Sequence, residues 1–288
     1  MKRYLYALPL VLLLVAAGWS SPQGAFSSLI ISNGDSGYGH IHKFGSTHSV
    51  QTADDPNDIW DCHGLTAANL KPYLAGNTTL FISSDDEDDT GKFVTVEGLD
   101  GNGALQSSTT ALGAANAGGT LFAEVGGTGV VWDRVFRAYA DDDTVEMEGN
   151  LYVGLDSVTD TGDDGIPDTP TTDIMACTLI GTQQTMMTHW TCPASTSCYL
   201  EQWCAGVAPD DATNTRHGQI SFKSRVTGKA WRTRDEFKAA SSGNAQRCQV
   251  FPTPLKFAAL TDFRFELTTV TSNGTYAWAN YDMILKAE

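Results

Sequence analysis

Residues 156–173, DSVTDTGDDGIPDTPTTD, set six carboxylates, two glycines and two prolines into eighteen positions with almost nothing apolar to bury. Oxygen ligands at alternate positions with a glycine at the sixth are what a hard cation asks of a calcium loop, because the glycine makes the sharp turn. Asp160, Gly162, Asp164, Gly165 and Asp168 stand at relative positions 1, 3, 5, 6 and 9. Gly162 replaces the second carboxylate of that pattern, and the twelfth position is Thr171, with Asp173 close behind. The candidate ligands are therefore Asp160, Asp164, Asp168 and Asp173, and the expected ion is calcium. The competing reading of the same composition is a solvated acidic linker between two folded halves.

Other residues offer less chemistry. His40 and His42 fall on one face of a strand, with His48 and His63 nearby, a set that suits a transition metal but lacks a completing carboxylate pattern. Gly34-Asp35-Ser36-Gly37 matches the core of a serine-protease nucleophile motif, yet it precedes every histidine in the chain and no nucleophile elbow occurs. The runs Asp85–Asp89 and Asp141–Asp143 read as solvated turns. Trp132, Trp190, Trp203, Trp231 and Trp278 could stack sugars or fill cores, and Trp278 alternates with Tyr276 as a core residue would. No residue set nominates a catalytic group or an organic cofactor, and the chain reads as non-enzymatic.

The elements that must carry these residues read as strands from about residue 28 onward. Val130–Tyr139, Leu151–Leu155, Cys198–Val207, Gln219–Val226, Asp262–Val270 and Tyr276–Leu285 are examples, and in Asp262–Val270 the residues Phe263, Phe265 and Leu267 share one face. Gln184–Cys192 reads as a further strand, and Arg234–Ala240 as a short helix. Gly, Asn and Asp turns separate the runs, as at Asp100–Gly103 and Ser272–Gly274. The expected fold is all-β, with two antiparallel, jelly-roll-like β-sandwiches in tandem. The expected divisions are a signal peptide or hydrophobic anchor over 1–23, one sandwich over 24–157, the acidic segment over 158–173 and a second sandwich over 174–288.

Charge and cysteines narrow the setting. The formal net charge is −16 and no Lys/Arg run occurs, which disfavours nucleic acid and anionic membrane as partners. Lys2 and Arg3 followed by the apolar run Leu5–Ala17 read as an export signal, too short to span a bilayer, so no membrane is expected in the mature form. Six cysteines in an exported chain suggest disulfides. Cys192 and Cys198 flank a five-residue turn and are the expected pair.

Phrases in order along the chain resemble an uncharacterised family of tailed, mostly aquatic bacteriophage virion proteins. They include Ile41-His42-Lys43-Phe44-Gly45, Asp58-Ile59-Trp60, Val94–Asp100, Arg134–Tyr139 and Gln183–Met187. Further along stand Trp231–Arg234, Pro254–Phe257 and Tyr281–Leu285. The resemblance implies a virion surface component, namely a capsid decoration, head-fibre or tail-associated protein, without catalysis. Its partners would be other virion proteins or further copies of itself. The export-like N-terminus and the cysteine pairs depart from that family. The alternative expectation is a secreted β-sandwich that binds cell-surface or cell-envelope glycan.

Overall fold

The computed structural model describes residues 37–50, 57–60, 62, 73–113, 123–127, 129–140, 146–155, 165–167, 174–209, 216–241, 245–270 and 274–288. The segment 1–23, and the acidic residues Asp160, Asp164, Asp168 and Asp173, lie outside them. Strands appear in the order β1 (Tyr38–Val50), β2 (Asn57–Asp58), β3 (Tyr73–Thr78), β4 (Leu80–Ser84), β5 (Phe93–Leu99) and β6 (Leu105–Ala111). Then come β7 (Ala123–Glu124), β8 (Trp132–Ala140), β9 (Leu151–Leu155), β10 (Ile174–Thr178) and β11 (Trp190–Thr191). The chain ends with β12 (Thr196–Pro209), β13 (Arg216–Val226), β14 (Arg232–Ser241), β15 (Ala245–Phe257), β16 (Thr261–Val270) and β17 (Thr275–Ala287). All pairings between these strands are antiparallel. The fold is all-β, and among the described residues one 3-10 turn, at Glu87–Asp89, interrupts it.

Alternation explains why these runs become strands and which face each one buries. In β16, Phe263, Phe265 and Leu267 are buried in a core, while Asp262, Arg264 and Glu266 belong to the other face. In β17, Ala277, Ala279, Tyr281 and Met283 face the core, so Tyr276 and Trp278 occupy the outer face, opposite to the expectation. Small residues suit that inner row, because Tyr281 sits within ring-contact distance of Phe222 and Phe265. The expected helix at Arg234–Ala240 is β14, paired with β13 from Arg216↔Ser241 to Ser224↔Arg232 with a bulge at Arg234. Charged helix formers line this run, but tertiary pairing overrides weak propensity.

Four sheets form two sandwiches. The first pairs the sheet β1-β17-β12-β15 with the sheet β16-β13-β14, and both β2 and β11 lie on the free edge of β16. Counting β2 and β11 as two pieces of one strand position, this is the order of an eight-stranded double Greek key, the jelly roll. Its core joins Trp203, Ala205 and Tyr281 from one sheet to Ile220, Phe222, Phe263 and Phe265 from the other. The second sandwich sets β10-β9-β4-β7 against β3-β8-β5-β6, around Leu80, Ile82, Val94, Val96, Trp132, Val135, Leu151, Val153 and Met175.

The second sandwich is inserted into the first, a topology that differs from a tandem cut at residues 158–173. β1 pairs along its length with β17, more than two hundred residues away, from Tyr38↔Lys286 to Val50↔Thr275. The chain leaves the jelly roll after β2, builds β3 through β10, and returns to the same edge at β11. Exit and return run side by side. Trp60 bridges Met187, Thr188 N donates to Ile59 O at 3.3 Å, and Ser46 N donates to Met186 O at 3.2 Å. Gly45 allows this crowding, since a Cβ there would stand 2.7 Å from Thr188 N and 2.9 Å from Ile59 O.

Three disulfides are formed: Cys62–Cys177, Cys192–Cys198 and Cys204–Cys248. Cys192–Cys198 closes the turn that leads from one jelly-roll sheet to the other, rather than a hairpin within one sheet, because β11 pairs β16 and β12 pairs β15 and β17. Cys62–Cys177 ties the exit crossing to β10 in the inserted sandwich.

Candidate functional site

Where the two sandwiches meet, the outward face of β16 and β13 supplies charge instead of apolar surface. Asp262 has no exposed surface and takes Arg225 Nε at 2.9 Å, Arg134 Nε at 3.4 Å and Thr191 Oγ1 at 2.8 Å. Arg134 belongs to β8 of the inserted sandwich, so this carboxylate joins the two cores. Glu266, also buried, pairs with both Lys223 and Arg264. Arg264 continues to Asp58 at 3.0 Å, and Asp58 meets His189 Nε2 at 2.9 Å. A chain of alternating charge thus runs from β13 through β16 to the exit and return crossings.

Aromatic rings cover this chain of charges. The Arg264 and Arg225 guanidiniums lie 4.4 and 4.5 Å from the Trp231 ring, and Arg225 and Arg134 both lie over Tyr73. The Tyr73 hydroxyl donates to Phe263 O. Burial first, and then the neighbouring Asp262, push that phenol well above its usual range, so it stays a donor. Weakly hydrated guanidinium groups tolerate this setting better than ammonium would.

Burial works against the Asp58 carboxylate, but the hydrogen bonds from His189 and Arg264, with the Arg264 charge, hold it below the usual carboxyl range. Burial depresses His189, outweighing the help of Asp58, and the imidazole is neutral. With Nε2 donating to Asp58, Nδ1 is the unprotonated nitrogen, and among the described residues nothing donates to it. The Trp60 and Tyr73 rings pack edge-on against it, at 5.6 and 5.2 Å. An acid, an imidazole and a phenol are therefore close together, with His189 buried and Asp58 and Tyr73 partly exposed. Their arrangement holds two bodies in one orientation.

A second polar centre forms inside the inserted sandwich. The run Asp85–Asp89, expected as a solvated turn, instead folds inward at both ends. Asp89 is fully buried and accepts from Ser84 Oγ at 2.5 Å, Lys92 Nζ at 2.8 Å, Glu148 N at 2.8 Å and Gly149 N at 3.0 Å. Asp85 accepts from Asn150 N at 2.6 Å and Asn150 Nδ2 at 2.7 Å. Only the tip of the run, Glu87 and Asp88, is exposed. Two turns lacking their own ladders are fastened by these carboxylates, which satisfies backbone N–H groups that would otherwise be orphaned.

The other sequence candidates divide between these structures and the core. Within 156–173, only Gly165–Pro167 are described: Gly165 has φ +76°, its carbonyl accepts from Ser83 Oγ at 2.8 Å, and Ile166 packs on the second core. The middle of the acidic segment is pinned against β4. His40 and His42 lie on the same face of β1 and approach one oxygen of Asp282, at 3.7 and 2.6 Å, with Gln202 on the other oxygen. Among the described residues, no group of three or more His, Cys, Asp or Glu is arranged to hold a metal. His63, Asp141–Asp143 and Gly34–Ser36 lie outside the described residues. Trp132, Trp190 and Trp203 are core residues, Trp231 is held between two arginines, and Trp278 packs on Gly206, so the five do not form a sugar-stacking platform. The junction network was not legible beforehand. Its signal was the charged outer row of β16, whose buried surroundings come from a strand in the other sandwich.

No protein-family model and no curated protein matches this chain. Among solved structures, it is similar to a mitogen from Yersinia pseudotuberculosis at 8% identity and a TM-score of 0.18, over 32% of this chain and 80% of that one. It is also similar to the Gt strain of infectious bursal disease virus, at 9% identity and a TM-score of 0.20, over 86% of this chain and 72% of that one. T=1 particles derived from infectious bursal virus match at 8% identity and a TM-score of 0.21, over 88% and 70%. Likeness at this level carries no argument about the present chain.

Proposed function

We propose that this chain is a non-enzymatic structural protein of a virion surface, a capsid decoration, head-fibre or tail-associated component, acting in assembly or attachment. The observation that carries the reading is the insertion of one sandwich into a single strand position of a jelly roll. Two adjacent crossings and a buried ionic junction fix its orientation. Such a body presents loops from a rigid frame, which suits a surface module. Asp58, His189 and Tyr73, which bring an acid, an imidazole and a phenol together, are engaged in the junction. The virion resemblance of the sequence phrases supports the same reading, and several of those phrases form this frame: Lys43 and Gly45 at the crossing, Asp58 and Arg134 in the ionic chain. Six paired cysteines suit an oxidising setting outside the cytoplasm. Among the described residues no helix is long and apolar enough to cross a membrane.

Mass spectrometry of purified virions tests the reading. Recovery of this chain at high copy, in stoichiometric ratio to the capsid protein, is the expected result. Recovery only from the medium, outside particles, would overturn it.

A further inference from the structure

The acidity of this chain is not evenly spread. Residues 61–189, which make the inserted sandwich and its crossings, hold 21 Asp/Glu against 4 Lys/Arg. Residues 37–60 and 190–288, which make the jelly roll, hold 12 of each. The excess negative charge therefore belongs to the insertion. Within the jelly roll the cations are also collected, since residues 229–256 carry six Lys/Arg against only Asp235 and Glu236. These residues form β14 and β15, which end their respective sheets at one edge of the sandwich. Arg247 of β15 reaches Glu236 O of β14 at 3.1 Å, which brings the two strands together there.

Lys229, Arg232 and Lys238 are exposed along this edge and form no ion pair among the described residues. Val250 and Leu255 of β15 are exposed as well, at 60% and 38%. On the inserted sandwich, Glu87, Asp88, Glu146 and Glu148 are exposed around the buried Asp89, with Lys92 the cation beside them. One molecule thus carries a basic edge with apolar residues and an acidic tip.

We propose that the β14–β15 edge docks a second copy of this chain through that copy's acidic tip, giving a head-to-tail contact. This rests on the structural role proposed above and names its partner and surface. Like edges would repel, so the contact joins two different patches, which is the heterologous geometry that closes into rings or extends in rows. Strand addition is disfavoured as the mode of contact. Pro252 and Pro254 remove donors from β15, and charged side chains line β14, both of which blunt a sheet edge. The contact is therefore made by side chains and is sensitive to ionic strength, since the Debye length falls from about 10 Å at 0.1 M to about 3 Å at 1 M.

Light scattering on the full chain, after gel filtration at about 50 mM and about 500 mM NaCl, reads the result. Oligomers at low salt that dissociate to monomer at high salt are expected. A Lys229→Glu/Arg232→Glu/Lys238→Glu variant should stay monomeric at low salt. So should a Glu87→Lys/Asp88→Lys/Glu146→Lys/Glu148→Lys variant, while an equimolar mixture of both recovers a two-chain species. Each reversed surface then meets its complement, and recovery also shows that both variants fold. A monomer at both salt concentrations overturns the proposal, as does association that ignores salt, or a mixture that stays monomeric. Binding of heparin by the edge with no self-association would assign it to a polyanion instead, and equally overturns it. Recovery of the chain from virions together with a monomer in solution would sink this contact and leave the virion role standing.

Discussion

Lys43 shows what burial does to one charge. Its side chain runs from β1 beneath β8, and Nζ donates to Phe136 O at 2.5 Å. Burial, with the nearby Arg137 and against Glu97, lowers its pKa to about 7. The unfolded chain keeps this amine protonated to about 10.5, so between pH 7 and 10.5 the unfolded state holds more protons and stability rises with pH. Below pH 7 the folded protein carries the full cost of a buried ammonium. Lys43→Met is therefore expected to stabilise the protein most below pH 7, with its advantage shrinking by about 1.4 kcal/mol per pH unit above that. Denaturant midpoints of both proteins at pH 6 and pH 9 check this, and a constant difference would refute it. Asp89 is the opposite case. Burial pulls its carboxyl upward, but the donors from Glu148, Lys92, Ser84 and Gly149 outweigh burial and hold it below its usual range. Such a group stabilises above the unfolded pKa of 3.8, and that stabilisation is lost as pH falls through the folded value. Asp89→Asn should cost about 3 kcal/mol at neutral pH, with the gap narrowing in acid; equal loss at all pH values would point to packing alone.

At the scale of elements, the three disulfides differ in what surrounds them. Cys177, Cys192 and Cys198 have no exposed surface and Cys62 almost none, whereas Cys248 is exposed on the edge strand β15 and Cys204 is half-buried opposite it. Exchange needs a thiolate to reach a sulfur, so access orders the reactivity. Mild reductant followed by alkylation and peptide mapping should label Cys204 and Cys248 first; simultaneous labelling of all six would show that reduction waits for global unfolding. Strands were the most legible elements. Leu151–Leu155 forms as read, and β16, β13 and β12 form around the runs read for them, because alternation over a half-buried surface leaves a period of two. The failures have local causes. Gln184–Cys192 reads as one strand, but most of it is the return crossing: Trp190–Thr191 forms a ladder with β16, while Gln184 and Met187 make single bridges. β2 is two residues long, too short for any periodicity to register. The pinned Asp85–Asp89 run shows why a charge run is not always a solvated face: its donors come from Glu148 and Gly149, sixty residues away.

At the scale of the whole molecule, two sandwiches in tandem and one sandwich inside another have nearly the same sequence signature. Both show strands, an acidic interruption and more strands. What separates them is whether β1 pairs near its own sequence or with β17, and that pairing spans the length of the chain, so no local pattern encodes it. The difference has a thermodynamic consequence. Tandem bodies joined by one linker unfold independently unless their interface is large and apolar. Here the inserted sandwich hangs from two crossings, Phe136 packs on Trp190 at a centroid distance of 4.2 Å, and Arg134 neutralises the buried Asp262. Unfolding either body would break the Arg134–Asp262 pair and the Phe136–Trp190 contact, leaving Asp262 with Arg225 and Thr191 alone. Calorimetry should therefore show one transition, with calorimetric and van't Hoff enthalpies equal. In Arg134→Met, Asp262 loses the partner that, among the described residues, reaches it from the inserted sandwich. The transition should then fall in temperature and broaden or split as the bodies uncouple. Two separate transitions in the unaltered protein would mean that the junction does not couple the sandwiches. A sharp single transition in the variant would place the coupling in the crossings and the Phe136–Trp190 contact instead of the ionic chain.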